Sequence, residues 1–231
     1  MMKKNHITCF LPCRKGSKRI LNKNMRPFSG RENGLLEIKL DQLIKCDKID
    51  EIIVSSDDSC VLNYANNLNS NKIKTFLRND KLSSDLTSTD DLILHALDLI
   101  NYGHILWTHV TSPFISSNHY NKVIERYFSE IEGDFDSLMS VTELKSFIWN
   151  DKPLNYDRSI EKWPRTQTLN PLYEINSGIF LSSANNYKSF KDRIGKTPFL
   201  YTLDKITGHD IDWPEDFVIG EVIANKKLNE F

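Results

Sequence analysis

No Asp or Glu stands anywhere before Glu32, although the chain of 231 residues carries 31 of them. Nine of the 30 Lys and Arg fall in that acid-free stretch, so the other 200 residues hold 21 cations against all 31 acids. An overall charge of −1 therefore hides a −10 body behind a strongly basic start. Cations confined in this way predict one local anionic ligand, whereas a nucleic-acid partner needs them spread over a face. Cysteine is scarce. Cys9, Cys13, Cys46 and Cys60 form no CxxC pair and no zinc spacing, and Cys9 and Cys46 read as small core hydrophobes of a reducing compartment. No apolar run approaches membrane-spanning length, which excludes a spanning helix. Lys3 and Lys4 before an apolar run imitate a secretion signal, but Arg14 and Lys15 cut that run short and no small-residue cleavage site follows. The expected location is cytoplasmic, with no membrane and no nucleic-acid partner. Phosphate fingerprints rich in glycine are missing too: Leu11 stands where a Walker A loop has its first glycine, and no GxGxxG occurs.

The residues present have the balance of an ordinary folded domain, 39% hydrophobic and 26% charged. Strand-like runs recur at 7–11, 51–55, 73–77, 104–109, 136–141 and 175–181. The first, second and fourth are continuous apolar or β-branched runs, as strands buried on both faces should be. Helical stripes lie between them. One runs through Leu35, Leu36, Ile38, Leu40, Leu43 and Ile44; another through Leu92, Ile93, Ala96, Leu97 and Ile100, started by Ser88 and Thr89 with Asp90 and Asp91 in its first turn. Asn118 is the expected cap of a third, and Asp57 or Asp58 of a helix over 61–68, a reading preferred to a metal site at that acid pair. The alternation predicts an α/β fold with a mostly parallel sheet, flanked by helices, whose ligands bind beyond the carboxyl ends of the strands. Residues 145–172 break the pattern. Trp149, Pro153, Tyr156, Trp163, Pro164 and Pro171 punctuate a polar stretch without period, which reads as an extended hairpin or arm, either a partner surface or a loop packed on its own domain. No linker or repeat is visible, so residues 1–231 are expected to form a single domain.

The basic loop follows the first strand: Arg14, Lys15, Gly16, Ser17, Lys18, Arg19, then Lys23 and Arg26. A glycine-serine step lets backbone amides approach a phosphate while Arg and Lys neutralise it. A charge run alone is more often a solvated turn; the lack of any nearby acid and the position after strand one favour the phosphate reading.

The run L-P-C-R-K-G-S-K-R-I-L-N-K-N-M-R-P-F (11–28) resembles the signature of the CMP-sialic acid synthetases, the acylneuraminate cytidylyltransferase family. Further stretches agree in order: I-I-V-S-S-D-D (52–58), F-L-R (76–78), L-S-S-D-L-T-S-T (82–89), H-V-T-S-P (109–113), S-V-T (140–142), N-S-G-I-F (176–180) and H-D-I-D-W-P-E-D-F (209–217). The resemblance implies a Rossmann-like nucleotidyltransferase sheet and a reaction in which CTP and an acidic nine-carbon sugar give a CMP-sugar and pyrophosphate, with Mg²⁺ required. It implies that Arg14, Ser17, Lys18 and Lys23 hold the phosphates, with Lys18 or Lys23 stabilising the leaving pyrophosphate. Asn24 would reach the ribose, and Arg78 and Ser84 the base; without that role Arg78 is a surface cation ending a strand. The missing counter-ions would then arrive with the substrate.

For the metal, Asp210 and Asp212 are the candidates, because Mg²⁺ needs only one or two carboxylates beside phosphate oxygens and water. In an extended segment both carboxylates share a face and Ile211 turns into the core. A competing structural role exists for Asp212, as cap of the last helix with Glu215 reaching back. In the acceptor site the resemblance implies roles for His109, Asn176 and Ser177, and for Arg165, on an arm that in this family crosses to the other subunit of a homodimer. Two positions depart from the family: His109, where Gln is common and which could be a packed core histidine, and Glu174, where some sialic acid members have Arg. A carboxylate there has the wrong sign for an acidic sugar unless it faces away or meets an amine or hydroxyl. Two other readings stay open: a nucleotide-sugar glycosyltransferase, which also uses an Asp-x-Asp motif, and a homologue that binds nucleotide without catalysis.

Overall fold

The computed structural model describes residues 5–84 and 87–226; Lys3, Lys4 and part of the 82–89 motif lie outside them. Seven strands form one sheet in the order β3-β2-β1-β4-β8-β5-β9. They are β1 (Ile7–Cys13), β2 (Glu51–Ser56), β3 (Ile73–Leu77), β4 (His104–Trp107), β5 (Ser137–Leu144), β8 (Leu172–Ser183) and β9 (Pro198–Leu203), with a separate two-residue hairpin β6 (Trp149–Asn150) and β7 (Lys152–Pro153). β8 alone runs against its neighbours β4 and β5, so the sheet is mostly parallel, as expected.

Each continuous apolar run is divided between two cores. On β1, Ile7, Cys9, Leu11 and Cys13 face one side, where α1 (Gly34–Lys45), α2 (Ser59–Asn67), α4 (Ser117–Glu130) and α6 (Pro214–Asn225) pack; Phe10 faces the other. There it meets Ile53, Trp107, Phe180 and the helices α3 (Thr89–Leu99) and α5 (Ala184–Phe190). Alternating side chains on a strand buried on both faces require this split.

Several boundaries differ from the sequence reading. β4 stops at Trp107, so Thr108 and His109 leave the sheet two residues earlier than expected. Ser116, not Asn118, caps α4, because the His119 ring can reach back to its N–H. Asp58 caps α2 through the Cys60 N–H, while Asp57 takes the Lys15 N–H at 2.8 Å and ties the basic loop to the end of β2. At α6 the cap position is Trp213; Asp216, not Glu215, reaches back to the N–H groups of Trp213 and Asp212. The Asp212 carboxylate is therefore spared capping duty. α5 and β9 were not foreseen, since Pro198 and two intervening aromatics blur any period-2 pattern. Residues 145–171 pair as strand only over the short β6/β7 hairpin, and β8 begins within the expected arm, three residues before the apolar run. Among the described residues no helix is long and apolar enough to cross a membrane.

Candidate functional site

All parallel strands deliver their carboxyl ends to one edge of the sheet, and the loops that follow β1, β2, β3, β4 and β9 meet there. The basic loop after β1 turns at Gly16 (φ 75°) and Asn22 (φ 53°). It is fastened by the Asn24 amide to the Arg14 carbonyl, 3.1 Å, and by the Leu36 N–H at the start of α1 to the Asn24 carbonyl, 2.8 Å. Arg14, Ser17, Lys18, Arg19, Lys23 and Asn24 thereby line one cleft of about 340 Å³, whose far wall is His109, Val110, Thr111 and Asp212.

The expectation that the basic loop lacks internal counter-ions fails at Lys23 and Arg19. Lys23 Nζ lies 2.9 Å from Asp212 Oδ1 and donates also to the Ile211 carbonyl, 2.8 Å, from a position 189 residues earlier in the chain. Arg19 approaches the same carboxylate at 3.8 Å and stacks its guanidinium on Trp213. Burial pulls the Asp212 carboxyl up, but Lys23 and Arg19 outweigh it and hold the group below the usual carboxylate range.

Asp210 sits on the same side as Asp212, with Ile211 buried between them and its N–H fixed to the Thr111 carbonyl at 2.8 Å. Burial, with the Asp212 charge added, pushes Asp210 up to about 6 despite a bond from Thr111. Its Oδ1 is buried without a hydrogen-bond partner. A buried carboxylate oxygen left over in this way is costly unless a cation meets it. The pair fits a hard divalent ion that takes two protein oxygens and completes its shell with water and phosphate. Among the described residues no set of three His, Cys, Asp or Glu side chains offers a closed metal cage.

A cavity of about 630 Å³ on the other side of the basic loop shares Arg14, Ser17, Lys23 and Asn24 with the cleft, and two further cavities flank it. Pro12, Arg14, Arg78, Leu82, Ser84, Thr87, Leu92 and His109 line one of about 290 Å³. Arg78 is no surface cation. It is buried, and its guanidinium donates to the Ser55 carbonyl at 2.7 Å. Thr142, Glu174, Asn176, Ser177, Lys205, His209, Asp210 and Asp212 help to line the other, about 580 Å³. Its wall is an irregularity in β8: Ser140 of β5 stands opposite residues 176–179, donating to Asn176 Oδ1 at 2.6 Å and accepting from the Ile179 N–H at 2.8 Å. Ser177 adopts a left-handed backbone there, φ 56°.

The predicted residues thus divide. Arg14, Ser17, Lys18, Lys23, Asn24, His109 and Asp212 share the cleft; Arg78 and Ser84 share the smaller cavity with Arg14 and His109; Asn176 and Ser177 share the larger with Asp210 and Asp212. His109 lines the cleft and the smaller cavity but not the cavity of Asn176. Its Nε2 accepts from the Trp107 indole N–H at 3.0 Å, which places the neutral ring's proton on Nδ1, and burial with the Arg193 charge pushes its pKa down to about 3. Arg165 lies exposed in the segment 145–172 and lines none of these cavities. Lys205 and His209 were missed. Among the described residues Lys205 is the sole Lys or Arg in the lining of the large cavity, with four carboxylates: Glu174, Asp210, Asp212 and Asp216. Nothing in its local sequence marks it.

Residues 8–212 match the protein family described as Cytidylyltransferase. The chain is 28% identical over 96% of its length to an N-acylneuraminate cytidylyltransferase of Streptococcus agalactiae serotype III, and spans about half (54%) of that relative's length. It is 25% identical to a pseudaminic acid cytidylyltransferase of Campylobacter jejuni, covering 93% of this chain and 94% of the relative. It is equally 25% identical to a CMP-N,N'-diacetyllegionaminic acid synthase of Legionella pneumophila, covering 97% of both. Among solved structures it shares its fold with CMP:2-keto-3-deoxy-manno-octonic acid synthetase complexed with CTP, at a TM-score of 0.65 and 15% identity, covering 96% of this chain and 100% of the other. The sheet is thus of the Rossmann-like nucleotidyltransferase kind. Because the match runs unbroken from β1 through the second carboxylate, Asp212, this chain belongs to the cytidylyltransferase family.

Proposed function

We propose that the chain transfers CMP from CTP to the anomeric hydroxyl of an acidic, sialic acid-like sugar and releases pyrophosphate, with Mg²⁺ as cofactor. One observation carries this reading: Asp212 is the shared wall of two cavities, touching the Lys23 ammonium on one side and facing Asn176 and Ser177 on the other. A triphosphate in the basic cleft and an acceptor in the larger cavity would meet across that residue. The attacking hydroxyl oxygen forms a bond to the α-phosphorus, its proton is lost, and the bond to the β-phosphoryl oxygen breaks. Positioning and charge neutralisation do most of the work in such a transfer. Arg14, Ser17, Lys18 and Lys23 would hold the phosphates, and Lys18 or Lys23 the charge growing on pyrophosphate. Asn24 would meet the ribose, and Arg78 with Ser84 the base. Asp210 and Asp212 would hold the metal, which supplies further neutralisation of the polyphosphate when bound. A glycosyltransferase acting on a diphosphate donor has no comparable use for the cationic loop. The experiment that tests the reading is pyrophosphate release with CTP and a panel of acidic sugars; release with none of them sinks it.

Asp210 gives a test independent of turnover. A carboxyl raised to about 6 binds its proton more tightly in the folded chain than unfolded, so metal-free stability falls as pH rises from about 4 to 6. Asp210→Asn is therefore expected to raise the metal-free melting temperature at pH 7 while abolishing turnover, a trade expected where a site stores an unfavourable charge. In the native chain the Mg²⁺ concentration for half activity should climb as pH drops below about 6, because metal must then displace a proton. A lower melting temperature for the variant would remove Asp210 from the metal site.

The large cavity holds more acid than base, so an acidic sugar needs cations from elsewhere. We assign that role to Arg165 of a second copy, in a homodimer joined through the 145–172 arm. Phe147, Trp149, Leu154, Ile160 and Trp163 are exposed on it, with Arg158 stacked on Trp149 and Trp163. Arg165→Ala should raise KM for the sugar by about tenfold, the worth of one charge-assisted hydrogen bond, and leave KM for CTP alone. Mixing Arg165→Ala with Asp212→Ala subunits should restore activity if the arginine works across the interface. A change confined to CTP refutes the placement.

A further inference from the structure

Lys39 is a lysine with no surface. It lies within the apolar stripe of α1, wholly buried, and no carboxylate among the described residues pairs with it. Its ammonium donates to the Ser112 carbonyl at 2.8 Å and to the Tyr120 hydroxyl at 2.8 Å, 4.9 Å from that ring's centre. The chain of bonds continues in one sense. The Thr108 hydroxyl donates to the Gly178 carbonyl at 2.7 Å, so at 2.7 Å it is the Tyr120 hydroxyl that donates to Thr108.

Lys39 therefore stands at the root of two branches. Through Ser112 it holds the segment that supplies His109, Val110 and Thr111 to the phosphate cleft, and whose Thr111 carbonyl fixes Ile211 between the two aspartates. Through Tyr120 and Thr108 it holds Gly178, inside the irregularity of β8 that presents Asn176 and Ser177 to the acceptor cavity. Gly178 has no slack: a Cβ there would lie 2.5 Å from Ile115 Cδ1 and 3.1 Å from Ser140 Oγ. We infer that Lys39 is a positioning residue which keeps the nucleotide wall and the acceptor wall in mutual register without touching either substrate. Burial drives its pKa down to about 7. A polar amine kept in the core at such a cost, where a methionine would fill the space, argues against a packing role.

The kinetic part of the test rests on the transferase reading; the exchange part does not. Lys39→Met in the full chain should exchange backbone amides of 108–113 and 176–179 at least about tenfold faster, as local opening there becomes easier, with 52–56 unchanged. kcat should fall about tenfold or more with KM for CTP within about threefold, the split expected when only transition-state geometry is lost. Tyr120→Phe, which removes one oxygen, should loosen 176–179 and spare 109–111, and it decides the matter if Lys39→Met does not fold. Exchange within twofold of native in both segments, or faster by the same factor across the whole sheet, overturns the inference. If the native chain turns over no sugar, the proposed function fails while the exchange data still decide the role of Lys39.

Discussion

On the proposed reading Asp212→Ala is expected to lower kcat by at least about 10³-fold, and Lys23→Ala by a similar factor, because the first removes a carboxylate that would hold the metal and the second a cation that would neutralise the phosphates, in a cleft where electrostatic contributions are large. The two groups touch at 2.9 Å, so the losses should not add. The double variant should be scarcely worse than the poorer single one, as for groups that act as a unit. Removing Lys23 leaves Arg19, 3.8 Å away and half exposed, as the nearest cation to Asp212, which raises the carboxyl from its lowered position. Removing Asp212 leaves the Lys23 ammonium with the Ile211 carbonyl only. Neither change touches a buried apolar contact, so circular dichroism and melting should stay near native. Turnover within threefold of native in both folded variants would take these residues out of the site.

Gly34→Ala is expected to cost about 3–5 kcal/mol of stability, which for a chain of this size lowers the melting temperature by about 10 °C. Gly34 opens α1 at φ 56°, and a Cβ there would lie 2.0 Å from the Arg26 carbonyl oxygen. That carbonyl cannot yield cheaply. Its own residue is tied by the Arg26 N–H to Asn22 at 2.8 Å, and the next turn of loop is tied by the Leu36 N–H to Asn24. Gly30 supplies the control. It also has a positive φ, 80°, but nothing lies within 4 Å of its Cβ position, so Gly30→Ala should cost only about 1 kcal/mol, the strain of the dihedral alone. If the two variants melt alike, the clash is not what fixes the loop to α1. Because the loop carries Lys23 and Asn24, the first variant should also lose turnover at temperatures where it remains folded.

The parallel half of the sheet was legible because burial on both faces leaves a mark in sequence: 7–11 and 51–55 are runs dominated by apolar and β-branched residues, and α1 and α3 carry clear stripes. The end of β4 was overrun because Thr108 and His109 continue a β-like pattern that chain geometry interrupts. β9 escaped because a strand with half-buried side chains has no strong period. In the site, the cationic loop was visible as an imbalance of charge, and the two aspartates as a pair with fixed spacing. The contact between Lys23 and Asp212 was not, since nothing local records a partner 189 residues away. Lys205 and His209 were missed for the same reason: only the fold brings them to Asn176. Lys39 was hidden differently, as a charged residue in a stripe where one expects a solvated lysine, and burial was the only clue.

β8 has a further consequence. Its first four residues, from Leu172, pair with the far end of β5 beside the arm, and a few residues later the same strand forms the wall that bears Asn176 and Ser177. Tyr173 and Ile175 stand exposed on that leading stretch. The segment expected as an arm and the wall of the large cavity are thus parts of one strand. On the proposed reading, substrate choice would be open to tuning from outside the pocket by substitutions at Tyr173, which does not line the cavity, whereas its neighbour Ile175 does.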